Sequence, residues 1–423
     1  MFKILQNSFF KAVSTLTIGS LISQLIPLAL SPVLARIFTP EDFGLFAIFF
    51  ALTSIFGVSI AGKYDISTLI PHKDSDAINL TIISLLLSLI GSLLLLICIL
   101  LFWTFNRDNT FFTDSYYIWI IGLPVAVLFT GIFNTLSFIN TRFENYSDIA
   151  QAKILKSTAL SFSQIILGMF SFGMVGLSTG LIISNITANI KLVKNIFKKS
   201  LTSTEISSKR IKELMIEYKV YPLYLNPASL LDIATLQMPL LFIIKIAGDT
   251  INGHFFFASR IISIPSALIG KAISQVFFQK ITSLRANNKK CITLFTTTAK
   301  TLFLIALPIS MILFLISPIM FEFIFGKIWI EAGLIAQYLS LIFLIQFPVS
   351  TLSNILSLKE FVKRATAWKI LYFSSSLILY LLTITLNLDF YLFLKLYVIH
   401  EYFLYSIYMI LIIKSVKQID KES

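Results

Sequence analysis

The stretch INLTIISLLLSLIGSLLLLICILLFW, residues 78–103, contains no charged side chain. It exceeds the ~20 apolar residues that a helix needs to cross hydrocarbon. Backbone N–H and C=O groups find no water there and must bond within the segment or around a closed barrel. A barrel strand would alternate apolar and polar residues, and this stretch does not. Runs of the same kind recur at about 12–36, 43–62, 78–103, 116–139, 150–171, 174–196, 221–246, 251–275, 297–319, 332–357, 368–387 and 389–414. The expected fold is therefore all-α and polytopic, with about 12 transmembrane helices. Composition agrees: 57% of the 423 residues are hydrophobic and 13% charged, against about 25% charged in soluble domains. The first 36 residues are basic and then apolar, like a signal peptide. Their run is too long for one and lacks a small-residue cleavage site, so it reads as the first span.

The net charge of +13 would suggest nucleic acid in a soluble chain, but its distribution points elsewhere. With the N-terminus inside, Lys and Arg gather in every second connection: Lys63 and Lys73, Arg142 with Lys153 and Lys156, then 191–219, 271–300, 359–369 and the residues after Lys414. Arg36, Arg107, Lys245 and Lys327 fall on the other side. That asymmetry is the orientation signal of a membrane protein with both ends cytoplasmic. It leaves no compact basic domain for nucleic acid. The expected organisation is a six-helix bundle over 1–200, a cytoplasmic amphipathic linker over 201–220, a second six-helix bundle over 221–414 and a cytoplasmic tail over 415–423. In the linker, SSKRIKELMIEYK (207–219) places Ile211, Leu214, Met215 and Tyr218 on one helical face opposite Lys209, Arg210 and Lys212, as an interfacial helix bridging the halves.

The halves echo one another. ARIFTPEDFGLF (35–46) and IKIAGDTINGHF (244–255) stand at a constant offset of 209 residues, where Arg36 meets Lys245, Ile37 meets Ile246, Gly44 meets Gly253 and Phe46 meets Phe255. In each, a span ends in a cation, a short acidic turn follows, and a glycine opens a Phe-rich span. Since six is even, both halves enter the membrane from one side, which predicts a parallel repeat about an axis along the membrane normal.

The segment LARIFTPEDFGLFAIFFALTSIFGVSIAGKYDISTLIP (34–71) resembles the N-terminal signature of bacterial polysaccharide and O-antigen flippases, with a T-P-E-D-F-G turn and a later G-K-Y-D. YPLYLNPASLLDIATLQMP (221–239) resembles their seventh helix and FFFASRIISIPSALIGKAISQVFF (255–278) their eighth. These flippases belong to the multidrug/oligosaccharidyl-lipid/polysaccharide exporter superfamily. The resemblance implies two six-helix bundles forming a V, alternating access, and an undecaprenyl-diphosphate-linked oligosaccharide as cargo in the bacterial inner membrane. It also allows other polysaccharide-assembly proteins as partners. Asp232 departs from the family, where asparagine is common, and leaves open whether that position meets a cation or a sugar.

Charges within spans are costly and mark candidate sites. Arg260 lies about nine residues into the eighth span and matches a substrate-contact position of related flippases; an internal ion pair is the alternative. Asp232, mid-way along the seventh span, suits a coupling-ion site or a partner for Arg260. In the last span Tyr397, Glu401, Tyr405 and Tyr408 share a face beside His400, either for proton coupling or as a hydrogen-bond network holding the bundle. Arg36 and Lys63, at opposite ends of the second span, are candidate substrate contacts at the exit and at the cytoplasmic face; turn formation and positive-inside anchoring explain them as well. Gln24, Asn134, Gln164, Asn185 and Asn189 either line a cavity or bond across helices.

No catalytic, metal or cofactor pattern emerges. His72, His254 and His400 are scattered, and no Ser-His-Asp set, phosphate loop or zinc spacing occurs. Cys98 and Cys291 suit no metal or redox motif and read as packing residues. A transporter is expected rather than an enzyme, with coupling to a proton or sodium gradient as its energy source. A multidrug exporter of the same superfamily is the alternative; a membrane glycan polymerase or ligase would need an external catalytic surface that the short outer loops do not offer.

Overall fold

A computed structural model describes residues 2–105, 118–199 and 207–422. Among these every regular element is helical. The N-terminal half runs α1 (Phe2–Ile37), α2 (Pro40–Ser59), the short α3 (Tyr64–Ser67), α4 (Asp74–Phe105), α5 (Leu123–Arg142), α6 (Tyr146–Met169), α7 (Gly173–Lys199) and the amphipathic α8 (Ser208–Glu217). There follow α9 (Asn226–Ile262), α10 (Lys271–Ala286), α11 (Ile292–Phe325), α12 (Ile330–Leu352), α13 (Val362–Thr385) and α14 (Phe390–Glu422). π-helical turns over Ile118–Gly122, Tyr221–Leu225 and Ser266–Gly270 join onto α5, α9 and α10.

Ten helical stretches among the described residues are long and apolar enough to cross a membrane. One of them, 221–286, divides where Gly248 adopts φ 82 and ψ 178. The 24-residue α6 stands outside the ten because Asp148, Lys153 and Lys156 make it less apolar. Counting that division and α6 brings the total to the twelve expected, and the chain is a multi-pass membrane protein. Arg107 and most of the outer loop 104–115 lie outside the described residues.

The helices group into two compact units, Met1–Gln237 and Met238–Ser423. Within the first, α6 packs against both α1 and α7, and α5 against α2, α4 and α7. Within the second, α12 packs against α11 and α14, with α13 on α14. Polar side chains bond across these seams: Asn134 Nδ2 donates to Gly57 O (3.2 Å), Gln164 Nε2 to Leu177 O (2.9 Å) and Asn189 Nδ2 to Phe129 O (2.9 Å). In lipid, where no water competes, such bonds hold helices in register. For these three the cross-helix bond is realised, whereas Asn185 Nδ2 donates to Leu181 O within its own helix at 3.0 Å. Cys98 is exposed on α4, beside the exposed Leu93, Leu94 and Ile97, and so is not a packing residue; Cys291 is buried.

The repeated turn has a backbone counterpart. In the first copy α1 stops and Thr39 (φ −79, ψ 160) caps α2: its hydroxyl accepts from Asp42 N, while the Asp42 carboxylate accepts from Thr39 N. This is a capping box with Pro40 at the first helical position, which explains the interruption at RIFTPED. The residue 209 positions on is Gly248, where the second copy breaks. One copy uses a side-chain cap and the other the left-handed freedom of glycine.

Helix α8 docks on the first unit. Leu214 is buried against Tyr64, Leu80 and Ile83, with Ile211 and Tyr218 packed beside it. Arg210 Nε and Nη2 donate to the Asp76 carboxylate on α4 at 2.9 and 2.8 Å. Met215 departs from the expected face: its side chain is exposed and its carbonyl accepts from Tyr64 Oη at 2.8 Å. The ten-residue helix turns far enough that 215 lies beyond the edge of the buried stripe. At the other end of the chain, α14 continues to Glu422, and the Asp420 carboxylate accepts from Cys291 N (2.5 Å) and Ile292 N (3.0 Å), capping α11.

Some helices meet backbone to backbone. A Cβ at Gly333 on α12 would stand 2.5 Å from Pro318 Cα and 2.8 Å from Ser317 O on α11, atoms that cannot rotate away. Gly333→Ala is therefore expected to destabilise the protein by about 1–3 kcal/mol. Gly176→Ala, whose nearest neighbours are the Leu167 and Phe172 side chains at 3.2 and 3.3 Å, should lose less; melting of the two purified variants in detergent checks the ranking.

Candidate functional site

Two polar clusters stand out, one in each unit. In the first unit the segment AGKYDIS leaves α2 through Gly62 (φ 59) and Lys63 (φ 62), both left-handed. Glycine adopts that conformation freely, while lysine loses about 1–2 kcal/mol in it. Lys63 is 7% exposed and Asp65 2% exposed. Ion pairs around them employ the neighbouring arginines: Arg142 donates to Asp74 at 3.0 and 2.9 Å and to Thr68 O at 3.2 Å, and Arg210 holds Asp76 and Glu213. Lys63 has no ion pair or hydrogen bond of its own among the described residues. Burial pushes the Lys63 ammonium below its ordinary pKa, against the opposing pull of Asp65. Burial pushes the Asp65 carboxyl up, opposed by Lys63 and by the hydrogen bond that it accepts from Ile66 N. Lys63 is thus a buried cation on a strained backbone, with the equally buried Asp65 as its nearest opposing charge.

Arg36 is not part of this cluster. It is exposed in the last turn of α1, and the 20 residues of α2, about 30 Å at 1.5 Å per residue, separate it from Lys63. Beside its end of α2 a groove of about 330 Å³ is lined by Phe38, Thr39, Glu41, Asp42, Ser171 and Gly173 among others. Asp42 Oδ1 is engaged there by Met174 N at 3.0 Å. Asp232 is half-buried on α9, within the first unit.

In the second unit Arg260 sits in the last turn of α9, half-buried; its carbonyl accepts from Ser263 Oγ at 2.8 Å. Within that unit the guanidinium forms no ion pair with a described residue.

Glu401 is 1% exposed. Tyr372 Oη on α13 reaches both its oxygens, at 3.0 and 2.8 Å. Tyr405 Oη accepts from Gln346 Nε2 on α12 at 2.9 Å, and Trp368 stacks on Tyr408 with ring centres 3.8 Å apart. Tyr397 stacks on Phe393 instead, one turn away. His400 completes the cluster. Ser375 Oγ donates to Leu371 O at 2.7 Å, so it accepts from His400 Nε2 at 3.0 Å. That assignment leaves Nδ1 buried without a hydrogen bond, 3.6 Å from Glu401 Oε1. A bare Nδ1 lone pair facing a carboxylate is repulsive, and a proton on either atom removes the conflict.

The structure thus brings Glu401 and His400 together and keeps Arg36 and Lys63 apart. Sequence reasoning missed Tyr372 and Gln346, which reach Glu401 and Tyr405 from other helices and leave no local pattern. It also counted Lys153 and Lys156 as loop charges, whereas both lie inside α6. Their three-residue spacing within an otherwise helical run was the available signal.

A family model described as a polysaccharide biosynthesis protein matches residues 33–333. The chain belongs to that family. Among solved structures it is similar to a MOP superfamily transporter from Pyrococcus furiosus (18% identity, TM-score 0.65, covering 97% of this chain and 96% of that one). It is also similar to the lipid II flippase MurJ in an inward closed conformation (16%, 0.65, 96% and 89%), and to an outward-facing multidrug resistance MATE family transporter of the MOP superfamily (16%, 0.62, 97% and 96%). These likenesses establish the MOP transporter fold. No curated protein matches the chain.

For Lys63 and Asp65 the linkage to stability has a definite sign. A lysine whose folded pKa is depressed opposes folding at neutral pH, and relief comes only as pH rises toward its unfolded value. An aspartate whose folded pKa is raised opposes folding once pH exceeds its unfolded value. The double variant Lys63→Met/Asp65→Asn is therefore expected to melt higher than the parent at pH 7, with a smaller gain at pH 10 than at pH 7, as followed by thermal unfolding across that range.

Proposed function

We propose that this chain is a flippase that moves an undecaprenyl-diphosphate-linked oligosaccharide from the cytoplasmic to the outer leaflet of the bacterial inner membrane, by alternating access, for surface polysaccharide or O-antigen assembly. Membership of the polysaccharide biosynthesis family over 33–333, on a fold that MurJ shares, is the observation that carries this reading. The chemistry of the candidate residues is in keeping with it. A diphosphate needs cations that no protein carboxylate already neutralises, and Arg260 meets that condition within its unit, while Lys63 stands beside the buried Asp65. Lys63, Arg260 and Arg36 are the candidate diphosphate contacts in this reading; both termini face the cytoplasm, where other polysaccharide-assembly proteins deliver the cargo.

Deletion of the gene is expected to remove surface polysaccharide and to leave lipid-linked repeat units on the cytoplasmic face. The parent sequence should restore display. Arg260→Ala and Lys63→Ala should restore it at about a tenth of the parental level or less, the loss expected for one charge-assisted contact. Normal polysaccharide with altered drug sensitivity would instead favour a multidrug exporter.

Coupling in this reading runs through Glu401 and His400, with one proton shared between Nδ1 and the carboxyl. Among the described residues the titratable groups near the carboxylate are Tyr372 and Tyr380 on α13 and Tyr397 and Tyr405 on α14. Asp232 is a second coupling candidate, in the first unit. In proteoliposomes an inside-acid or inside-alkaline gradient should change the rate of lipid-linked cargo movement for the parent and leave Glu401→Gln indifferent to it, while Tyr372→Phe retains the response with a shifted pH midpoint. A response to sodium with none to pH would transfer the role from Glu401.

A further inference from the structure

Helix α8 has ten residues, too few to cross a membrane, and it packs on the start of α4, where Asp74 and Asp76 mark the end of that span. At about 100° per residue its side chains fall into three sectors. The docked sector carries Arg210, Ile211 and Leu214, with Tyr218 just past the helix; Leu214 is buried there and Arg210 holds Asp76. Next to it lie both acids, Glu213 and Glu217, which the same guanidinium meets at 3.0 and 3.9 Å. The outward sector, about 120° wide, carries Lys209, Lys212, Met215 and Ile216, and Lys219 continues it beyond the last turn. All of these are exposed.

No described residue neutralises that outward sector. The ammonium groups of Lys209, Lys212 and Lys219 form no ion pair or hydrogen bond among the described residues. Ile216 is 59% exposed between them, and Val220 and Leu223, where the chain enters the next span, are 57% and 60% exposed. Orienting the spans requires only that lysines occur somewhere in the connection. It does not require that they be sorted from the acids, nor that aliphatic side chains stand among them. The boundary of a bilayer with acidic headgroups suits both features at once. Aliphatic side chains enter the acyl boundary there, while lysine stems lie along it and carry their ammonium groups to the phosphates.

We propose that the outward face of α8 is a docking surface for acidic phospholipid, on which Lys209, Lys212 and Lys219 meet headgroup phosphates while Met215 and Ile216 enter the acyl boundary. A soluble acidic partner would use the lysines but would not call for the aliphatic residues that run on into Val220 and Leu223. The docked face gives the contact a consequence inside the first unit. Tyr64 Oη donates to Met215 O at 2.8 Å, and Tyr64 stands between the left-handed Lys63 and the buried Asp65. Lipid on the outward face holds α8 against α3 and α4 and so steadies that turn. The assignment depends neither on the identity of the cargo nor on which side of the membrane α8 lies.

The test places the full chain in nanodiscs of phosphatidylcholine, with or without phosphatidylglycerol, and follows amide hydrogen exchange over residues 208–219. Each lysine beside an acidic surface is worth about a fivefold change in an equilibrium. Phosphatidylglycerol should therefore slow exchange across α8 by about tenfold or more in the parent, and salt at about 1 M should remove the effect. The triple variant Lys209→Gln/Lys212→Gln/Lys219→Gln should exchange alike in both lipids, and Ile216→Gln should show a reduced effect. Lys289→Gln/Lys290→Gln, at exposed positions of the second unit, controls for overall charge and should respond as the parent does. Equal exchange of the parent in both lipids overturns the inference, as does a full response in the triple variant. Loss of the response in the control variant overturns it too, by assigning the effect to net charge. Soluble polyglutamate that slows exchange as much as phosphatidylglycerol does would transfer the face to an acidic protein partner. Should the triple variant fail to fold, Ile216→Gln and the lipid and salt series on the parent still decide.

Discussion

Hydrocarbon offers no hydrogen bonds, and the rest of the structure follows from that. Backbone groups are satisfied by helices, so every regular element described is helical. Helices in lipid gain little from hiding apolar surface from one another, so their contacts rest on close approach and on cross-helix polar bonds. Both devices are present. Gly333 lets α12 touch the α11 backbone, and Ser310 Oγ donates to Ser340 O at 2.6 Å across the same pair. The same solvent makes each uncompensated charge expensive, which is why Lys63, Lys156, Arg260 and Glu401 carry more information than the other charged residues.

The breaks between helices obey the same constraint from the outside. A chain that turns at the membrane surface must leave one helix and start the next with its free N–H groups satisfied. Thr39 and Asp42 do this for α2, and Asp420 does it for α11 from a remote segment. The second use ties the end of the chain to the connection between α10 and α11. Arg285 pairs with Glu360 near by, and that guanidinium holds the Glu360 carboxyl below its ordinary range. Arg364 donates to Ser415 Oγ (2.9 Å) and Gln418 Oε1 (2.7 Å). One end of the second unit is therefore cross-linked by polar contacts between elements distant in sequence.

The fold was legible because its main signal is composition over long windows. The run at 78–103 became α4, and the echo at an offset of 209 coincided with real helix breaks at Thr39 and Gly248. Glu401 and His400 were legible as intramembrane polar residues. What escaped was whatever depends on a neighbour from another helix. Tyr372 has no feature that distinguishes it from other tyrosines until α13 lies against α14. Met215 was placed on the buried face by spacing alone, yet α8 is too short for an idealised stripe to fix its edges. Lys153 and Lys156 were misplaced because a charge near the end of an apolar run looks like a loop residue; only the start of α6 at Tyr146 shows how far inside they are.

The charges inside the two units differ in chemistry, and the difference has a physical reason. Lys63 is held by a strained backbone beside the buried Asp65 carboxyl, and Lys156 stands against an aromatic ring with no ion pair among the described residues. Asp65 gives Lys63 a carboxylate within its own cluster, whereas the aromatic ring beside Lys156 does not accept a proton near neutral pH. Glu401 is the reverse case: a carboxyl ringed by hydroxyl groups and one imidazole can be neutralised internally, by a proton that arrives at Nδ1 or at the carboxyl itself. A cluster completed by an anion can recognise cargo, whereas a cluster completed by a proton can report a gradient. Placing both kinds of site in one pocket would let them neutralise each other, so a transporter that is to respond to both gains by keeping its unpaired cations and its proton-binding carboxyl on different helices.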